Sequence, residues 1–70
     1  MSEVISDYGE RVCDGIRMRW WLIDDGRFYV AAEYNGNLYQ YNLSYIGDGS
    51  HDDIIDNILT KVENSLREKE

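Results

Sequence analysis

The stretch Phe28-Tyr29-Val30-Ala31-Ala32-Glu33-Tyr34-Asn35-Gly36-Asn37-Leu38-Tyr39-Gln40-Tyr41-Asn42-Leu43 decides the fold. Aromatic and β-branched residues dominate both flanks, and Asn35-Gly36 divides them. Asn and Gly both tolerate the positive φ that the tightest hairpin turns require, so the stretch reads as two antiparallel strands. With Asn35-Gly36 or Gly36-Asn37 at the turn centre, positions 28, 30 and 32 share a sheet face with 39, 41 and 43. That face is Phe28, Val30, Ala32, Tyr39, Tyr41 and Leu43, apolar or aromatic throughout.

Upstream, Ile16-Arg17-Met18-Arg19-Trp20-Trp21-Leu22-Ile23 runs into Asp24-Asp25-Gly26. A three-residue loop with Gly26 in the left-handed bulge position pairs Leu22 with Phe28, Trp20 with Val30 and Met18 with Ala32. A slip of one residue would put Arg19 where Met18 stands, so hydrophobicity fixes the register. The core face then also holds Ile16, Met18, Trp20 and Leu22. The opposite face carries Arg17, Arg19, Trp21, Ile23, Tyr29, Ala31, Glu33, Leu38, Gln40, Asn42 and Ser44, with Trp21 facing Tyr29 and Arg17 facing Glu33. Trp, Tyr and Arg are the residue types enriched at binding hot spots. This face is either a partner surface or the seat of the N-terminal segment.

Downstream, Ser50 followed by Asp53 has the spacing of a capping box, and Ile54, Ile55, Ile58, Leu59, Val62 and Leu66 form one apolar stripe. Acids at the start and Lys61, Arg67 and Lys69 near the end suit the helix dipole. In Ser2 to Cys13, the apolar Val4, Ile5, Tyr8 and Val12 recur at helical spacing with Ser2 as cap, which predicts a short helix weakened by Gly9. The expected fold is α+β, a three-stranded antiparallel meander packed on a long C-terminal helix, with the short N-terminal helix completing the order α-β-β-β-α. The 70 residues make one domain, 1–70.

Fourteen Asp and Glu against seven Lys and Arg give a formal net charge of −7. Like charge opposes compaction in so small a chain, so the excess points to solubility or to a basic partner. It argues against anionic membranes and against direct nucleic-acid binding, which needs a basic footprint. The acids concentrate at Asp24-Asp25 and at Asp48, Asp52, Asp53 and Asp56. The second cluster has three readings: helix capping with a solvated face, a docking surface for a basic protein, or a metal site. A calcium loop counted from Asp48 would need Gly and Glu where Asp53 and Leu59 stand, so no metal is expected.

No Gly-rich phosphate loop, zinc spacing or Cys-His arrangement is present, and Ser50 and Asp52 are only sequence neighbours of the lone histidine, His51. No catalytic residue and no cofactor is expected, and His51 reads as a surface loop residue. The single Cys13 reads as a small buried hydrophobe in a reducing compartment. The N-terminus has no secretory leader pattern and no apolar run long enough to span a membrane, so a cytoplasmic location is expected.

The order α-β-β-β-α resembles the double-stranded-RNA-binding domain. That family grips phosphates with a lysine cluster at the start of its last helix, where this chain has Ser50-His51-Asp52-Asp53-Ile54-Ile55-Asp56. The charge is inverted, so the likeness is one of topology only. In size, acidity and a tyrosine-rich meander, the chain resembles the small anti-defence inhibitors of phages, the anti-CRISPR proteins among them. That resemblance implies a non-enzymatic inhibitor in the host cytosol that occupies the basic surface of a nucleic-acid-binding protein or complex. Asp24, Asp25, Asp48, Asp52, Asp53 and Asp56 would supply charge, and Trp21, Tyr29 and Tyr45 would supply anchors. The rival expectation is a structural protein that homodimerises through a sheet edge or its aromatic face.

Overall fold

The structure, a computed structural model, describes residues 4–69. The chain runs through β1 (Ile5–Cys13), β2 (Ile16–Ile23), β3 (Arg27–Tyr34), β4 (Asn37–Ser44) and α1 (His51–Glu68). The strands form a four-stranded antiparallel sheet in the order β1-β2-β3-β4. The helix covers one face.

The β2–β3–β4 register follows the hydrophobic pattern. Leu22 pairs with Phe28, Trp20 with Val30 and Met18 with Ala32, while Phe28 pairs with Leu43, Val30 with Tyr41 and Ala32 with Tyr39. Asn35 and Gly36 both take positive φ, 52° and 77°, as a mirror-image hairpin turn requires, and Gly26 sits at 95°. Ile16, Met18, Phe28 and Ala32 are fully buried, and Tyr39, Tyr41 and Leu43 pack partly buried against them.

The N-terminal expectation is overturned. Residues 5–13 form an edge strand, so the described residues hold four strands and no N-terminal helix, and the likeness to the double-stranded-RNA-binding topology falls with it. Ser2, the expected cap, lies outside the described residues. The cause is a bulge. Ile5 pairs with Ile23, but Asp7 pairs with Leu22, so one extra residue, Ser6, enters the strand. Ile5, Tyr8, Glu10 and Val12 therefore share the outer face. Without the bulge their period would be two throughout; with it, the apolar spacings become three and four, which mimic a helix. The better signal was Asp14-Gly15. These residues take φ of 50° and 80° and join Cys13 to Ile16 in a second mirror-image turn.

Gly9, on the inner face of β1, has a specific reason to be glycine. A Cβ there would lie 2.7 Å from Cζ2 of Trp20, because the indole lies against the Gly9 backbone. Trp20 in turn stacks on Phe28 with ring centroids 5.5 Å apart. The aromatic pair fills the space that β1 leaves open.

The helix matches its sequence pattern. Ser50 caps it, its hydroxyl accepting from the Asp53 N–H while the Asp53 carboxylate accepts from the Ser50 N–H. Ile55, Ile58, Leu59, Val62 and Leu66 are buried, with Ile54 at the margin. No helix among the described residues is long and apolar enough to cross a membrane.

Candidate functional site

The antiparallel order brings the start of β1, the β2–β3 turn, the end of β4 and the start of α1 to one end of the sheet. Tyr45 N–H donates to the Gly26 carbonyl at 2.8 Å, which ties the segment after β4 to the β2–β3 turn. His51 Nε2 lies 2.7 Å from Asp7 Oδ2, which ties the helix start to β1. Carboxylates from three separate parts of the sequence thus gather at this end: Asp7, Asp24 with Asp25, and Asp48 with Asp52 and Asp53. Arg27 at this end is bound to Asp25 at 2.8 Å, and Arg11, which shares a surface depression with Asp7 and Asp52, is bound to Asp56.

The candidate acids are not equivalent. Asp53 is committed to the capping box, Asp25 to Arg27, and Asp56, one turn further on, to Arg11 of β1. Asp24, Asp48 and Asp52 are exposed and make no ion pair among the described residues. The aromatic candidates divide as well. Trp21 and Tyr29 are cross-strand neighbours on the outer face, as expected. Tyr45 lies on the helix side, packed partly against the core. The three rings therefore do not form one surface.

The outer face is open. With the N-terminal segment placed as β1 beside β2, no described element lies over Tyr8, Trp21 and Tyr29, which form an aromatic row across three strands. Tyr8, Val12 and Leu38 are 72%, 63% and 69% exposed, high values for residues of sheet strands. Glu10 pairs with Arg19 at 3.3 Å on the same face.

His51 has the partners that the sequence did not show. It is the first residue of α1, with Asp7 on Nε2 and the Tyr45 hydroxyl 2.6 Å from Nδ1. An ionised Asp7 only accepts, so Nε2 donates to it, while Nδ1 faces the Tyr45 hydroxyl. Two backbone segments distant in sequence are latched to the helix start in this way. Hydrogen bonds from His51 and, secondarily, from the Tyr8 N–H hold the Asp7 carboxyl below its ordinary value of 3.8. A depressed folded-state value contributes stability that is present above the unfolded value and lost as pH falls through the folded one. Wild type should therefore exceed Asp7→Asn in urea midpoint near neutrality, and the gap should close as the pH drops below about 4. A gap that stays constant from neutral to acid pH would show that Asp7 is not coupled to folding.

At the opposite end, Cys13, Asp14 and Glu63 each bring a potential ligand atom within 4.8 Å of the others. Arg67 occupies the cluster, donating to Asp14 at 2.6 Å and to Glu63 at 2.7 Å. The guanidinium supplies the positive charge that a metal would bring. Cys13 is half-buried rather than a core hydrophobe. Desolvation first, and then the Glu63 and Asp14 charges, push its thiol up, so it stays protonated and donates to Glu63. It is poorly suited to act as a nucleophile.

The arrangement offers charge and surface. No family model, curated protein or solved structure matches this chain, so its function rests on this geometry alone.

Proposed function

We propose that the protein is a non-enzymatic binding module whose acidic end docks on the basic, nucleic-acid-binding surface of a protein partner. Occupying that surface displaces nucleic acid, so the module acts as an inhibitor, the role that its likeness to anti-defence proteins implies. One observation carries the reading: carboxylates from β1, the β2–β3 turn and the β4–α1 segment converge at one end, where the nearby Arg27 and Arg11 are each already paired with a carboxylate. Capping explains Asp53 and ion pairing explains Asp25 and Asp56. The helix dipole accounts for Asp52, and none of these explains Asp24 and Asp48. A cluster of this kind acts mainly through on-rate and specificity.

The structure changes which residues test it. Asp56 belongs to an ion pair with Arg11, so replacing it disturbs the fold as well as the charge. Asp24 and Asp48 are free of that complication. Wild type and the double variant Asp24→Lys, Asp48→Lys serve as baits in a native-host lysate, and the protein retained by wild type alone is purified. Wild-type association should slow by tenfold or more between low and physiological salt, and the variant should be slow at both. An on-rate indifferent both to salt and to the substitutions, with circular dichroism confirming the fold, refutes acidic docking.

A further inference from the structure

We infer that the outer sheet face is a self-association surface, and that its occupant is a second copy of this chain packed sheet to sheet. The inference is independent of acidic docking, because it concerns a face that carries none of the docking aspartates.

Charge is the first argument. On this face Arg17 and Arg19 balance Glu10 and Glu33, and Arg27, whose guanidinium reaches the Tyr29 hydroxyl at 3.1 Å, is paired with Asp25, so the formal charge of −7 resides elsewhere. A strongly acidic chain repels its own copies almost everywhere, and here it does not. Glu10 lies 3.3 Å from Arg19 and 3.9 Å from Arg17, so the charges are compensated before any partner arrives. A basic partner would find no net attraction on this face.

Shape and register are the second argument. The molecule is a slab of 36 × 29 × 16 Å with the helix on one broad side. Contact over most of the other side offers roughly the 800 Å² per partner of a standard interface. The register lays out rows across the strands. Tyr8, Trp21, Tyr29 and Asn42 form one row, Glu10, Arg19, Ala31 and Gln40 the next, and Val12, Arg17, Glu33 and Leu38 a third. A two-fold axis along the middle row sets the first row of each copy over the third row of the other. Trp21 then lies over Arg17, a cation–π pairing, and Tyr8 over Val12. Each contact occurs twice. The same axis points the two acidic ends in opposite directions, which keeps their repulsion small.

Glu10, Arg19 and Ala31 lie along this axis and meet their own mates; Glu10 and Arg19 are 3.3 Å apart within each copy, so their charges are compensated, whereas Ala31 is neutral. Wild type should sediment at twice its 8.2 kDa mass at about 100 µM, since interfaces of this area reach micromolar affinity or better. Ala31→Lys should be monomeric there, because it adds like charge beside the Arg19 of both copies, while an equimolar mixture with Ala31→Glu, which sits across from Arg19, should recover a mixed dimer. Leu38→Glu is the second probe. Its side chain is already exposed in the monomer, so the fold is undisturbed, and dimerisation should weaken at least tenfold. Asp24→Lys, Asp48→Lys should dimerise like wild type, which separates this inference from the docking reading. A monomeric wild type at that concentration overturns the proposal. So does a dimer that survives both Ala31→Lys and Leu38→Glu, which would point to edge pairing through β1 or β4. Failure of the Ala31 variants to recombine overturns the axis.

Discussion

Leu59→Ala is expected to leave the protein largely unfolded at physiological temperature. Leu59 is 1% exposed and sits in the middle of the buried helix stripe, over a sheet face whose Phe28, Met18 and Ile16 are themselves fully buried. Truncating a leucine at such a site costs about 2–5 kcal/mol, part lost transfer energy and part cavity. A chain of 70 residues holds about 4–10 kcal/mol in total, at the usual stability per residue. The loss is therefore a large share of the whole. Ile54, at the margin of the same stripe, provides the internal control, and its truncation should cost clearly less. Thermal melts of the two variants beside wild type make the comparison. Equal, small shifts for both would mean that the helix is not seated as described.

Gly9→Val should be nearly as damaging, although Gly9 is on an edge strand and valine is a better strand former than glycine. Propensity favours the substitution. Sterics oppose it, because the new Cβ would sit 2.7 Å from the Trp20 indole, and that indole is backed by Phe28. Overpacking of this kind costs about 1–3 kcal/mol. The ring cannot yield without disturbing its stack, so the steric term should win. Urea unfolding measures the loss, and near-ultraviolet circular dichroism should report a changed tryptophan environment. Stabilisation by Gly9→Val would mean that propensity prevails and that Trp20 is free to move. The double variant Gly9→Val, Trp20→Leu should lose less than the separate costs added, since removing the indole relieves the clash.

The two hairpins at 24–26 and 35–36, the capped helix and the core face were legible because each rests on a local rule with a residue-specific signature. Asn35 and Gly36 tolerate positive φ, a one-residue slip would bury Arg19, and Ser50 and Asp53 satisfy each other. The N-terminal strand was not legible from periodicity, because a single inserted residue at Ser6 turns a strand pattern into a helical one. Asp14-Gly15 between Cys13 and Ile16 carried the correct signal, a two-residue turn of the kind that joins antiparallel strands. The candidate site was legible in part. The residue types were visible, but their grouping depends on which strand ends meet. Asp7 joins the acidic end only because β1 pairs with β2, and His51 gains Asp7 only because the helix start lies over that strand. Contacts between residues 44 positions apart leave no pattern in the sequence. Tyr45 was grouped with Trp21 and Tyr29 by type alone, and the structure puts it on the helix side.

The attachment of β1 has a consequence for how the molecule holds together in time. Toward the helix this strand presents Asp7, Gly9, Arg11 and Cys13, none of which belongs to the buried core. It is held to α1 by Asp7 to His51, Arg11 to Asp56, Cys13 to Glu63, and Asp14 at its turn to Arg67. These contacts are polar and largely solvent-exposed, and exposed pairs are individually weak and screened by salt. The remaining strands and the helix are joined by apolar burial, which salt does not weaken. Two cooperative units of unequal strength are therefore expected: the β1 amides should exchange with solvent before those of β2, β3 and β4, since only the β2 ladder and exposed polar contacts hold the first strand.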